Sequence, residues 1–227
     1  MKALVLFSGG LDSTVVLANA IKLHGKENVI ALSISYGQKH NKEIEASNKI
    51  AEYYGVKHLY LDLAKIFEYS DCSLLKRSDK EIPKGEYQIQ LDKANKDNLS
   101  TYVPFRNGLF LSSAASIGLS LDCSIIYYGA HSDDASNAYP DCSKEFNDAI
   151  NESIYIGSGK KIKVVGPFVG MHKSDIVKVG HELNVPFELT WSCYEGKEKA
   201  CGICGTCIDR KKAFLVNGLK DPIEYEE

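Results

Sequence analysis

The stretch from Ala3 to Val16, Ala-Leu-Val-Leu-Phe-Ser-Gly-Gly-Leu-Asp-Ser-Thr-Val-Val, limits what this chain can fold into more than any other. Leu4, Val5, Leu6 and Phe7 form a short apolar run of the kind that fills a strand buried on both faces. Ser8-Gly9-Gly10 interrupts that run, and adjacent glycines let the main chain approach a ligand closely. Asp12, Ser13 and Thr14 are residue types suited to starting a helix. A strand, a glycine turn and a helix start together make an anion site. Open N–H groups of the first turn, the positive end of the helix dipole and the hydroxyls of Ser8, Ser13 and Thr14 converge where a phosphate oxygen can sit. A ligand-free turn would need neither the hydroxyls nor the aspartate.

No lysine follows the glycines, as the Walker pattern requires, and the third spaced glycine of the dinucleotide fingerprint is missing. Ser8-Gly9-Gly10-Leu11-Asp12-Ser13 instead resembles the Ser-Gly-Gly-x-Asp-Ser loop of the PP-loop ATP pyrophosphatase superfamily. That resemblance implies ATP held by Phe7, Ser8, Gly9, Gly10, Leu11, Asp12, Ser13 and Thr14. It also implies adenylation of a substrate oxygen, which becomes a leaving group for nitrogen or sulfur.

Downstream, apolar strands alternate with helical periodicity. Val29 to Ile34, His58 to Leu63, Ser124 to Tyr128 and Lys161 to Val165 read as further strands. Leu11 to His24, Glu43 to Tyr54, a small-residue stretch ending at Leu119, Lys144 to Tyr155 and Lys173 to Leu183 read as helices. This alternation predicts a doubly wound, mainly parallel α/β sheet, Rossmann-like and of the adenine nucleotide alpha hydrolase-like kind, with its ligand beyond the carboxyl ends of the strands. Ser33, Ser35, Gln38 and His40 then join the nucleotide site from the second strand. Residues 1–190 are expected to form the ATP-binding domain and 191–227 a small metal-binding lobe packed on it. Between Asp71 and Asn98 the chain is polar and weakly periodic, which predicts a surface excursion or a lid.

The chain has 227 residues, is 44% hydrophobic and carries a net charge of −3, enough to bury a core and short of the basic excess that nucleic-acid backbones require. No apolar run is long enough to cross a bilayer, and the first strand starts too early for a signal peptide. A cytoplasmic protein is expected, and seven cysteines there suggest metal binding or catalysis before disulfides. Four of them, Cys193, Cys201, Cys204 and Cys207, lie close together. Cys201-Gly202-Ile203-Cys204 is a knuckle that points two thiolates at one metal, and the other two complete a tetrahedron around a structural Zn2+. An iron–sulfur cluster and a redox pair are the rivals to that reading.

Outside these stretches, Arg106 after Val103-Pro104-Phe105 is a candidate partner for a phosphate or carboxylate. Asp133, Asp134 and Asp141 are candidates for Mg2+ or for the edge of a purine-type base. Lys173 is a candidate source of the positive charge the loop lacks. For each, an ordinary surface role is the alternative.

Tyr36-Gly37-Gln38-Lys39-His40, Val103-Pro104-Phe105-Arg106-Asn107, Tyr139-Pro140-Asp141-Cys142, His172-Lys173-Ser174-Asp175-Ile176 and Thr190-Trp191-Ser192-Cys193-Tyr194 occur in order, followed by the cysteine run. From Leu4 to about Arg210 the chain resembles the 7-cyano-7-deazaguanine synthase family, QueC. Phe105 departs from the small residue expected there, and Gly129-Ala130-His131-Ser132 from the expected form of its loop. The resemblance implies a carbon–nitrogen ligase of queuosine biosynthesis, and a homodimer. It would convert 7-carboxy-7-deazaguanine and ammonia, with ATP, to the 7-cyano base through an adenylated carboxylate and an adenylated amide. Lys173, Arg106, Asp133 and Asp141 would then serve the chemistry and the base, with no direct contact to nucleic acid. The alternatives are a PP-loop tRNA sulfurtransferase using a cysteine pair, Cys142 with one of the cluster, and a nucleotide-gated zinc protein that binds a partner.

Overall fold

A computed structural model describes residues 1–93, 99–135 and 139–226, without the side chains of Lys93, Asp134 and Ala135. In chain order the elements are β1 (Ala3–Leu6), α1 (Leu11–His24), β2 (Val29–Ser35), α2 (Lys42–Tyr54), β3 (Lys57–Asp62), α3 (Tyr87–Lys93), α4 (Arg106–Ser120), β4 (Ile125–Tyr127), α5 (Ser132–Ala135), α6 (Lys144–Gly157), β5 (Lys163–Val165), α7 (Lys173–Glu182) and α8 (Gly205–Val216). The strands form one sheet in the order β3-β2-β1-β4-β5. Every pairing is parallel, with Ala3 opposite Val29 on one side of β1 and opposite Ile125 on the other. The expected doubly wound parallel fold is present, with boundaries within a residue or two of those read from the sequence.

β1 shows why the sheet is covered on both sides. Ala3 and Val5 face one core with Val16 and Leu17 of α1, Ile50 of α2, Ile176 and Val177 of α7 and Phe214 of α8. Leu4 and Leu6 face a second core with Leu111 and Ala114 of α4 and Ile154 of α6. Neither face of β1 meets water, so every position must be apolar. From β1 the chain winds outward through β2 to β3, then returns to lay β4 on the other flank of β1. That reversal opens a crevice above the carboxyl ends of β1 and β4, where such folds bind ligands.

The stretch after Asp71 differs from the expected polar excursion. Cys72, Leu74 and Leu75 are buried in a third apolar cluster with Tyr36, Phe67 and Val103. Their backbone is tied down by Lys39 N–H to the Leu74 carbonyl (2.9 Å), Lys76 N–H to Gly37 (2.8 Å) and Ser73 N–H to Ser100 (2.7 Å). A short Cys-Ser-Leu-Leu run, outnumbered by neighbouring charges, is enough to fix it. Within the remainder, α3 follows from Tyr87, and residues 94–98 of the expected lid lie outside the described residues.

Candidate active site

The loop after β1 is shaped by its own hydroxyls. Ser13 Oγ accepts from the Ser8 N–H (3.3 Å) and donates to the Gly10 carbonyl (3.1 Å), while Thr14 Oγ1 donates to the same carbonyl at 2.7 Å. Ser8 Oγ accepts from the Gly10 N–H at 3.2 Å. Gly10 is the N-cap of α1 and supplies no side-chain cap, so the first-turn N–H groups of Leu11, Asp12 and Ser13 stay available to a ligand. Gly9 has φ +82°, and a Cβ there would sit 2.5 Å from Ser47 N and 2.6 Å from the Glu43 carbonyl oxygen. Only glycine allows α2 to close on the loop this tightly. On the opposite side, a Cβ at Gly129 would be 3.3 Å from Ser13 N, so the end of β4 packs as closely.

Lys173, the first residue of α7, is buried and reaches back to the loop, its Nζ 3.2 Å from Asp12 Oδ2. His131 Nε2 lies 3.7 Å from the same oxygen. Burial works against the Asp12 charge, but Lys173 and His131 outweigh it and hold the carboxyl below its ordinary range. A lysine from a remote helix thus reaches a loop that has none of its own. Asp12 Oδ1 is buried without a hydrogen-bond partner among the described residues. A buried carboxylate oxygen left open invites a proton donor or a cation.

Asp133 does not line the cavity. Its Oδ2 accepts from the Lys173 N–H at 2.7 Å and its Oδ1 lies 2.7 Å from His172 Nδ1, so it fixes the start of α7 and holds Lys173 from behind. The Asp134 side chain lies outside the described residues.

The crevice above β1 and β4 is a cavity of about 240 Å³. Phe7, Ser8, Gly10, Leu11, Asp12, Ser13, Ser33, Gln38, Arg106, Asp141 and Lys173 all line it, so residues scattered along the chain meet in one place. Gly9 and Thr14 shape the loop from outside, and Ser35 and His40 do not reach the cavity. Ser33 Oγ donates to the Phe7 carbonyl at 2.6 Å, and Gln38 Oε1 accepts from the Tyr36 N–H at 3.0 Å.

Arg106 also lines the cavity, its guanidinium carbon 5.2 Å from the Tyr36 ring centre. Asp141 is buried beside it, Oδ2 accepting from the Asn107 N–H at 2.8 Å. Phe105 explains the sequence departure. It adopts φ +54° and packs on Phe146 with ring centres 5.9 Å apart, turned away from the cavity lining.

Glu43, in the first turn of α2, also faces the cavity. Burial pushes its carboxyl up to about 7, with Arg106 acting in the opposite sense. Neither Glu43 nor His131 carried a signal in the sequence. Glu43 looked like an ordinary acidic helix start, and His131 belonged to a polar loop.

Cys193, Cys201, Cys204 and Cys207 are all buried, with their sulfurs within 4.8 Å of one another. Cys204 caps α8 and Cys207 sits in its first turn, at the end of the helix that favours negative thiolates. The Cys201 N–H donates to Cys193 Sγ (3.3 Å) and the Cys204 N–H to Cys201 Sγ (3.4 Å). Four buried sulfurs this close need a positive centre to be stable as thiolates, and their spacing suits one tetrahedral ion. Arg210 of α8, fully buried, clamps the lobe. It grips Asp221 through Nε (2.8 Å) and Nη2 (3.0 Å) and donates to Thr190 Oγ1 at 2.7 Å.

Comparison with known proteins places these features in a family. The model described as Queuosine biosynthesis protein QueC matches residues 2–218. The chain is 42% identical to the 7-cyano-7-deazaguanine synthase of Archaeoglobus fulgidus, over all of this chain and 91% of that protein. It is 43% identical to the synthase of Pseudoalteromonas atlantica, over 99% of each. Among solved structures, NMN synthetase from Francisella tularensis superposes with a TM-score of 0.50 at 13% identity, over 96% of this chain and 78% of that one. U34-tRNA thiolase NcsA from Methanococcus maripaludis does so at 0.50 and 14%, over 96% of this chain and 64% of that one. At such identities the two structures establish a shared fold.

Proposed function

This chain belongs to the queuosine biosynthesis protein QueC family, and from that premise we propose an ATP-dependent carbon–nitrogen ligase that makes 7-cyano-7-deazaguanine from 7-carboxy-7-deazaguanine and ammonia. One observation carries the reading: the glycine loop with its open first-turn N–H groups, the half-buried Arg106 and the buried Asp141 all line a single cavity. A carboxylate is a poor acceptor for ammonia, and two activations by ATP lead first to an amide and then, by elimination, to the nitrile. Both can take place in one site.

The loop N–H groups from Leu11 to Ser13 and the Lys173 ammonium take up the charge that develops as pyrophosphate departs. Asp133 and His172 hold Lys173 in register for that task. Ser33 and Gln38 shape the nucleotide end, while Arg106 receives the substrate carboxylate and Asp141 the donor edge of the base. Among the described residues the only metal-ligating cluster is the four cysteines. Mg2+ would accompany the ATP phosphates, and the open Asp12 Oδ1 is the protein atom that would contact it. The four cysteines fit Zn2+, which would brace the lobe and leave no position open for catalysis. The protein works as a cytoplasmic homodimer in this reading, and no described helix is long and apolar enough to cross a membrane.

Incubation with the carboxylate base, ammonium and Mg-ATP should yield nitrile, AMP and pyrophosphate, with the nitrile followed by mass spectrometry. Absence of nitrile together with sulfur appearing in tRNA would overturn the proposal.

A further inference from the structure

Three carboxylates line the cavity, and two are already engaged. Asp12 pairs with Lys173 at 3.2 Å, and Asp141 accepts from the Asn107 N–H at 2.8 Å. The third, Glu43, accepts no hydrogen bond and makes no ion pair among the described residues. Its neighbour Lys42 turns the other way, over the Trp191 ring at 5.6 Å and toward Glu45 at 3.9 Å. The helix turn that carries Glu43 rests on Gly9, since a Cβ there would fall 2.6 Å from the Glu43 carbonyl oxygen. Glu43 therefore meets the loop through its backbone and shares one cavity with Arg106, whose charge acts on its carboxyl. The reacting carbon must lie in the same cavity, joined through oxygen to the α-phosphate on one side and to the base on the other.

We propose that Glu43 is the catalytic base that binds ammonium and removes its proton for attack on the activated carboxylate. The inference rests on the function proposed above. An ammonium ion has no lone pair, so the site must take one proton from it before it can attack. A carboxylate is both the natural counter-ion and the natural acceptor for that proton. The freed ammonia forms the C–N bond, the C–O bond to AMP breaks with its electron pair leaving on the phosphate, and a second proton departs from nitrogen to give the neutral amide. Burial, which lifts the Glu43 carboxyl to about 7 against the pull of Arg106, suits it to proton exchange near neutrality.

The test compares wild type, Glu43→Gln and Glu43→Asp in three assays: carboxylate-dependent ATP–pyrophosphate exchange, amide formation from ammonium, and hydroxamate formation from hydroxylamine, which is uncharged at neutral pH. Expected for Glu43→Gln are exchange close to wild type, amide formation down about 10²-fold with a raised KM for ammonium, and hydroxamate formation largely kept. Glu43→Asp should recover part of the ammonium activity. Equal loss in all three assays, a raised KM for the deazaguanine in place of ammonium, or unchanged ammonium kinetics would each overturn the assignment. If wild type itself shows no carboxylate-dependent exchange, it is the proposed function that fails.

Discussion

The Trp191 N–H donates to the Gly9 carbonyl across 3.0 Å, tying the loop after β1 to a residue just ahead of Cys193. The Trp191 indole N–H in turn donates to the Cys193 carbonyl at 2.8 Å. Loop geometry and metal lobe are thereby linked through one residue. Removing the metal with a chelator, or replacing Cys201 by serine, should cost about 3 kcal/mol and lower Tm by about 6–12 °C. ATP–pyrophosphate exchange should weaken in parallel. Calorimetry and exchange on the same sample would check both, and a Tm loss with full exchange would show the linkage to be without consequence.

Lys173→Ala should lower kcat/KM for ATP about 10²-fold, the size of effect seen when one donor to a developing charge is removed. It should also change the response to acid. The folded-state carboxyl of Asp12 is held below its ordinary value, burial opposing and Lys173 with His131 prevailing. Its contribution to stability is therefore present above about pH 4 and is lost as pH falls further. Melting temperatures from pH 7 to pH 3 should drop less steeply in the variant.

Gly9→Ala and Gly170→Ala separate backbone strain from collision. Both glycines have positive φ, +82° and +91°, but a Cβ at Gly170 meets nothing within 4 Å whereas one at Gly9 meets the backbone of α2. Gly170→Ala should cost about 1 kcal/mol and Gly9→Ala at least about 2 kcal/mol more, with loss of ATP binding. Thermal melts and nucleotide titration would measure the difference.

Arg210→Met leaves Asp221 buried without its bidentate partner, a change expected to cost about 3–5 kcal/mol, or about 10 °C in Tm. Asp221→Asn in that background should recover part of the loss, because the remaining charge is then gone.

Much of this site was legible in the sequence where local chemistry is self-contained. Ser8 to Ser13 announce a glycine turn at a helix start because the glycines, hydroxyls and helix start all belong to one stretch, and the cysteines announce their own clustering because their spacing is itself the geometry. Lys173 and Arg106 were legible as charges in search of an anion. Glu43 was not, since its place is set by how closely α2 settles on Gly9, a long-range contact. Asp133 reads as a loop carboxylate until the fold brings α7 against it. Cys72 to Leu75 were hidden by flanking charges, and α8 by the cysteines that lead into it.

The contact between Gly9 and Trp191 also bears on the order of events during synthesis. The loop leaves the ribosome well ahead of Trp191, yet one of its carbonyls finds its partner only when residue 191 has been made. β1 likewise waits for β4 to cover its second edge. A nascent chain thus cannot finish this crevice from the segments around β1 alone, and the crevice completes only after residue 191 has been made.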